Sequence, residues 1–372
     1  MTIRKILATL LALSMTLSLA ACGSNSTQTG TTQSEQTEES SSVSDESASD
    51  ETTAENTETE TPADETEASE PAEKVDINLA ALSGPTALGM LDLLEKNENG
   101  EAANNYNVTI ATAPDEVTGK IISGELDIAA VPTNVASTLY NKTEGQVQIA
   151  ALNTMGVLYV LETGDTIQSV ADLAGKTIYA TGQGSTPEYA LNLVLEKNGL
   201  TPGEDVEIVF AADNAEIAPL LASGEAQVAL LPQPFVTSVL TQNENVRVAL
   251  DLTEEWDKAV NGESGLTMGC VVVRKEFAEQ NKEALDRFLD EYKQSVETVT
   301  SEEGLAHAAE LAEHYNIIKA AVAEKAIPEC NIVFVEGDEM QQIAGGFLQV
   351  LYDANPQAVG GQLPNDDFYY KR

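Results

Sequence analysis

The sequence predicts an α/β protein of two equivalent lobes, each a mainly parallel sheet flanked by helices. Two observations carry this. From Val75 onward, short apolar strand-like runs alternate with amphipathic helix-like segments, the pattern of successive βα units. The pattern also repeats. Ile122-Ser-Gly-Glu-Leu-Asp-Ile-Ala-Ala-Val-Pro132 matches Ala222-Ser-Gly-Glu-Ala-Gln-Val-Ala-Leu-Leu-Pro232 at an offset of 100 residues, with Ser, Gly, Glu, Ala and Pro in step. In each copy a helix ends at Ser-Gly, the glycine suiting a left-handed cap, and a buried strand then runs to a proline that can open the next helix.

The elements follow in order. Asp76 to Leu82, Tyr106 to Thr112 and Ile128 to Val131 read as strands, followed by helices at Ala87 to Lys96, Asp115 to Ser123 and Thr133 to Tyr140. Strands at Val147 to Leu152 and Val157 to Leu161 come next. The series restarts with strand Lys176 to Thr181, helix Pro187 to Asn198, strand Val206 to Ala211, helix Ala215 to Ala222 and strand Gln227 to Leu231. Helical periodicity returns at Lys282 to Thr300 and Glu303 to Tyr315.

The N-terminal segment reads differently. Arg4 and Lys5 precede an apolar run from Ile6 to Ala20, and Leu19-Ala-Ala-Cys22 is followed by Gly23. The run is shorter than the ~20 apolar residues of a membrane span, so 1–21 reads as a signal peptide and Cys22 as a lipidation site. From Gly23 to about Glu73 the chain is Ser, Thr, Glu, Asp, Gln and Ala with no Lys or Arg. Such a stretch has little to bury against its ordering entropy, so 22–74 is expected to be a disordered acidic tether reaching ~40 Å. A net charge of -42, from 61 acidic against 19 basic residues, argues against nucleic acid as a partner. Beyond Cys22 only Cys270 and Cys330 remain; in an exported chain they either form one disulfide or stay as two buried thiols.

Three stretches resemble the nitrate/sulfonate/taurine and thiamine-precursor type of ABC-transporter solute-binding protein. They are Asp172-Leu-Ala-Gly-Lys-Thr-Ile-Tyr-Ala-Thr-Gly-Gln-Gly-Ser-Thr-Pro-Glu-Tyr-Ala through Leu200, the helix-Ser-Gly-Glu-strand-Pro unit, and Gly265-Leu-Thr-Met-Gly-Cys-Val-Val-Val-Arg274. The resemblance covers nearly all of 75–372 and implies a type II periplasmic-binding-protein fold, two lobes joined by two crossing segments. Mapped onto this sequence, lobe one is 75–158 plus 267–372 and lobe two is 159–266.

In doubly wound sheets ligands bind beyond the carboxyl ends of strands, against helix N-termini. That rule selects Ser83, Gly84 and Thr86 in lobe one and Gly184, Ser185 and Thr186 in lobe two, and the family match supports them. Helix capping alone also accounts for such residues. The loops after the repeated prolines add Thr133, Asn134, Gln233 and Phe235, with amide and hydroxyl groups to read a solute and a ring to stack on it. Met155, Thr267 and Met268 lie near the crossings and either line the cleft or pack the hinge. Trp256 is a cleft wall or a core residue. Glu188, just inside a helix, is either a dipole-favoured cap or a counter-ion for a cationic group on the ligand, and the cap is the favoured reading.

These loops hold no Arg, Lys or His, which disfavours a multiply charged oxyanion against a neutral, zwitterionic or singly charged solute. His307 and His314 fall on a polar helix without metal-site spacing. No Gly-x-Ser-x-Gly elbow or Ser/His/acid set is present, and Gly182-Gln-Gly184 lacks the third glycine of a dinucleotide fingerprint. No metal, cofactor or catalytic residue is therefore expected. The reading is a monomeric lipoprotein, anchored on the outer face of the bacterial cytoplasmic membrane, that captures a small organic solute and delivers it to an ABC permease. A sensing or adhesin lipoprotein, and more distantly a pyrimidine-synthesis enzyme of related fold, are the alternatives.

Overall fold

The structure, a computed structural model, describes residues 73–112 and 114–372. The expected signal peptide, lipidated Cys22 and all but the last two residues of the 22–74 tether lie outside them. In chain order the strands are β1 (Asp76–Leu82), β2 (Asn105–Ala111), β3 (Ile128–Pro132), β4 (Val147–Met155), β5 (Leu158–Thr163), β6 (Thr177–Ala180), β7 (Glu207–Phe210), β8 (Val228–Pro232), β9 (Val246–Asp251), β10 (Thr267–Arg274) and β11 (Ile332–Val335). They form two sheets, ordered β11-β4-β10-β3-β1-β2 and β7-β6-β8-β5-β9.

The internal repeat is a repeat of topology. In the first sheet β3 lies between parallel β1 and antiparallel β10, and in the second β8 lies between parallel β6 and antiparallel β5. In each sheet the antiparallel neighbour is the strand that enters after a crossing: β5 follows Gly156–Val157, and β10 follows the return to the first sheet. The first sheet thus has two parallel and three antiparallel pairings and the second has two of each, where the βα pattern alone predicts mainly parallel sheets. The prediction lacked β9, β10 and β11, which pair antiparallel with β5, with β3 and β4, and with β4.

Local chemistry explains the punctuation. Gly124 and Gly224 have φ of +79° and +78°, and Gly224 caps helix Asn214–Ser223, so the repeated glycines fill the left-handed positions expected of them. The repeated prolines behave otherwise. Pro132 and Pro232 close their strands, Pro132 being the residue before helix Thr133–Lys142 and not its first turn. The expected helix from Ala87 to Lys96 is broken into Pro85–Leu88 and Leu91–Glu98. At the break Gly89 approaches β11 so closely that an added Cβ would stand 3.0 Å from Ile332 Cγ2.

Strand alternation splits the core. Ala80, Ala129, Val131, Leu152, Cys270 and Val272 pack on one face of the first sheet; Leu79, Ala81, Ile128, Ala130, Val271 and Val273 pack on the other. The first of these cores continues into the second sheet through Leu158, Val160, Ile178 and Leu230. The two halves therefore share apolar packing. Cys270 and Cys330 are free and buried, and they belong to the cores on opposite faces of the first sheet. That placement corrects the disulfide alternative, because the sheet stands between the thiols. Burial pushes both thiols up, which keeps them protonated.

Candidate functional site

The two halves meet where strands end and helices begin. Helix Thr133–Lys142 leaves β3 of the first sheet, and helix Thr186–Lys197 follows β6 of the second. Asn134 joins them. Its Nδ2 donates to Gly184 O at 3.4 Å and to Ala358 O at 3.1 Å, and its Oδ1 accepts from Thr186 Oγ1 at 3.1 Å. One buried amide therefore ties both helix starts and the C-terminal turn Pro356–Val359. Ser137 and Asn141, on the same helix face, donate to Val359 O at 2.9 Å each.

Beside this tie, Thr133 Oγ1 lies 3.1 Å from Thr267 Oγ1, both residues fully buried, and Thr267 pairs with Met155 in the β4–β10 ladder. Here the chain first crosses to the second sheet. Gly156 is required at the crossing, since an added Cβ would overlap the Thr253 side chain. Met155 and Met268 are half-buried against the shared core.

The loop 182–186 is built for a helix start. Gly182 and Gly184 both have φ of +75°, Ser185 Oγ donates to Gly182 O at 2.8 Å, and Thr186 is fully buried. Glu188 Oε2 accepts from Gly184 N at 2.5 Å, the capping contact expected of it. In the first half Ser83 is exposed, Gly84 takes a φ of +130°, and Thr86 Oγ1 donates to Leu82 O at 2.7 Å.

Gln233 N donates to Val157 O at the crossing at 3.1 Å, but the side chains of the other candidates serve their own helices or the cores. Gln233 Oε1 accepts from Thr237 N and Thr237 Oγ1, so its amide oxygen serves its own helix Phe235–Gln242. Phe235 packs on the separate core of the second sheet. Trp256 is a core residue and not a cleft wall. It is fully buried, its Nε1 donates to Ser264 O at 2.8 Å, and its ring tilts against Phe347 with centroids 5.6 Å apart.

Three residues at the junction escaped the sequence reading. Asn153 and Thr154 are buried at the carboxyl end of β4, and a polar pair directly after the apolar run 149–152 was the available signal. Tyr159, just past the crossing, has its hydroxyl pushed up to about 12 by burial and by the Asp251 and Glu329 carboxylates.

A protein-family model described as ABC transporter, phosphonate, periplasmic substrate-binding protein matches residues 92–324. The chain belongs to that family. No curated protein matches it. Among solved structures, the binding protein is similar to an ABC transporter protein from Parabacteroides distasonis at 25% identity and a TM-score of 0.66, covering 80% of this chain and 99% of that one. It is similar in fold to the alkanesulfonate-binding protein SsuA from Xanthomonas axonopodis pv. citri bound to MOPS, at 16% identity and a TM-score of 0.60, covering 79% and 96%. The nitrate-binding protein NrtA from Synechocystis PCC 6803 follows at 14% identity and 0.50, covering 65% and 66%. The fold is that of a type II periplasmic binding protein, and the chain is the substrate-binding component of an ABC importer. No helix among the described residues is long and apolar enough to cross a membrane.

Proposed function

We propose that the binding protein traps a small organic solute between a lobe of 75–158 plus 267–372 and a lobe of 159–266, and presents it to an ABC permease. The observation that carries this is the Asn134 bridge, which links helix starts from the two halves at the strand ends where α/β sheets take ligands. Thr86, Thr133, Asn134, Met155, Ser185, Thr186, Thr267 and Met268 face or flank that junction in this reading. Open and closed forms exchange, and solute contacts from both lobes favour the closed one.

The family description names phosphonate, and the SsuA and NrtA relatives are named for alkanesulfonate and nitrate. In this chain 83–86, 133–134, 153–156, 182–188, 233–235 and 267–269 hold no Lys, Arg or His, and a carboxylate already occupies the Gly184 N–H. A neutral, zwitterionic or singly charged solute fits these groups better than a multiply charged oxyanion. Export by the 1–21 signal, lipidation at Cys22 and action as a tethered monomer complete the proposal. Small-angle scattering with alkylphosphonates, alkanesulfonates, amino acids and neutral heterocycles tests it. One class should compact the protein with a midpoint at its Kd; an unchanged profile across every class defeats the trap.

A further inference from the structure

The first crossing runs through Met155, Gly156 and Val157, and it is fastened from both sides. On the lobe-one side Met155 N donates to Asn331 O at 3.0 Å, and Gly156 O accepts from Asn331 Nδ2 at 3.1 Å. On the lobe-two side Val157 O accepts from Gln233 N at 3.1 Å. Helix Leu252–Ala259 closes on Gly156 itself, where Thr253 leaves no room for a Cβ. A peptide unit is planar, so a held carbonyl holds its whole plane. Between the Gly156 carbonyl, fixed to lobe one, and the Val157 carbonyl, fixed to lobe two, only the φ and ψ of Val157 remain.

The Asn331 backbone alone marks only a cap. Its φ of +44° is left-handed, a region that asparagine enters more readily than most residues. Glu144, Asn261 and Asn316 share that conformation, and each of the four stands directly after the capping residue of a helix or short turn. The side chains differ. Asn316 Nδ2 turns back to His314 O of its own helix at 3.4 Å, whereas Asn331 Nδ2 reaches a carbonyl 175 residues away in sequence. The return crossing is fastened in the same manner. Ser264 O accepts from Trp256 Nε1, Thr267 pairs with Met155, and Gly265 and Leu266 lie between them.

We propose that Val157 is the pivot of the first crossing and that Asn331 positions it, by fastening Gly156 to lobe one so that the lobes turn about two torsions. The assignment rests on the solute-trap reading and names its moving part. Asn331 touches no solute; it acts through the crossing. Without its side chain the Gly156 torsions are freed as well, and glycine loses more freedom on ordering than any other residue. Solute capture then has to order a looser crossing.

Residual dipolar couplings and amide exchange, measured on the full chain without solute, test this in wild type, Asn331→Gly and the control Asn316→Gly. Glycine keeps the left-handed backbone at either position without steric cost, so both variants retain the cap and lose only the side chain. In Asn331→Gly the Met155 N–H should exchange about fivefold faster, the factor that one lost hydrogen bond implies. The alignment of 159–266 relative to that of 75–158 plus 267–372 should weaken against wild type. Asn316→Gly should change neither. Faster exchange with the lobe alignment unchanged makes Asn331 a local cap and overturns the pivot. Unchanged exchange overturns it too, as does a control that loosens the lobes equally. Every sample is solute-free, so the pivot stands or falls apart from the trap: a chain that no solute class compacts defeats the trap whatever these couplings show.

Discussion

At residue scale the second lobe is pinned by one inward carboxylate. Glu162 on β5 is almost fully buried and accepts from Thr166 N at 2.8 Å, Thr166 Oγ1 at 2.5 Å, Ile167 N at 3.1 Å and Arg247 at 2.9 Å. Burial alone would raise its pKa, but the Thr166 and Ile167 donors and the Arg247 charge outweigh it and hold the carboxyl below its ordinary range. A depressed folded pKa means stability that is full above the unfolded value near ~4.3 and lost as pH falls through the folded value. Glu162→Gln should therefore cost roughly 1–3 kcal/mol at pH 7, discounted because Arg247 is partly exposed, with the gap to wild type narrowing below about pH 4. A denaturant series across pH reads this, and a gap that stays constant from pH 3 to 7 would sink it. Trp256→Ala removes a fully buried indole and strands the Ser264 carbonyl, so it should cost about 3–5 kcal/mol. Trp256→Phe should recover much of that; equal losses in both would mean that the hydrogen bond and not the packing matters.

At element scale, legibility follows the range of the cause. Gly124 and Gly224 were readable because a left-handed cap is a demand of one residue's own backbone, and β1, β3 and helix Lys282–Thr300 were readable because their periodicity lies within one segment. Tertiary causes were invisible. Gly89 stands at the helix break where Ile332 of β11, some 240 residues away in sequence, leaves little room for a side chain. Ser185, Thr186 and Asn134 could be named as candidates from strand-loop-helix order, whereas the buried Asn153 lies inside a strand, where that order marks nothing. Long-range ties of another kind join helix Leu305–His314 to helix Leu91–Glu98, where His307 Nε2 lies 2.8 Å from Glu95 Oε2 and His314 Nε2 lies 3.2 Å from Glu98 Oε2. The Glu95 hydrogen bond raises the His307 pKa, so its stabilisation is full below about 6.5 and fades as pH rises through the folded value. His307 is about half exposed, which limits the effect to below ~1 kcal/mol. His307→Ala should lower Tm slightly at pH 5.5, less in high salt, and match wild type at pH 9. An equal deficit at both pH values points to lost packing instead.

At the scale of the whole molecule, two contributions of different range set how far the lobes stay together. The shared apolar core, running from Val131 and Leu152 to Leu158, Val160 and Leu230, packs the halves against one another. Across the junction itself the directional contacts are few, and Asn134 supplies two of them, a good bond from Thr186 and a long one to Gly184. A typical buried hydrogen bond contributes about 1 kcal/mol net, so losing these should shift an open-closed equilibrium by roughly five- to thirtyfold. Asn134→Ala should thus raise the radius of gyration of the solute-free protein and weaken solute binding by a similar factor, since capture then has to supply the closure itself. The loss of the Ala358 contact must be separated from this. Ser137→Ala cuts the neighbouring tie to Val359 O and leaves the junction intact, so it serves as the control. If both variants weaken binding equally, the C-terminal turn is what matters; if Asn134→Ala alone does so while its ligand-free Tm stays near that of Ser137→Ala, the amide is the latch between the lobes.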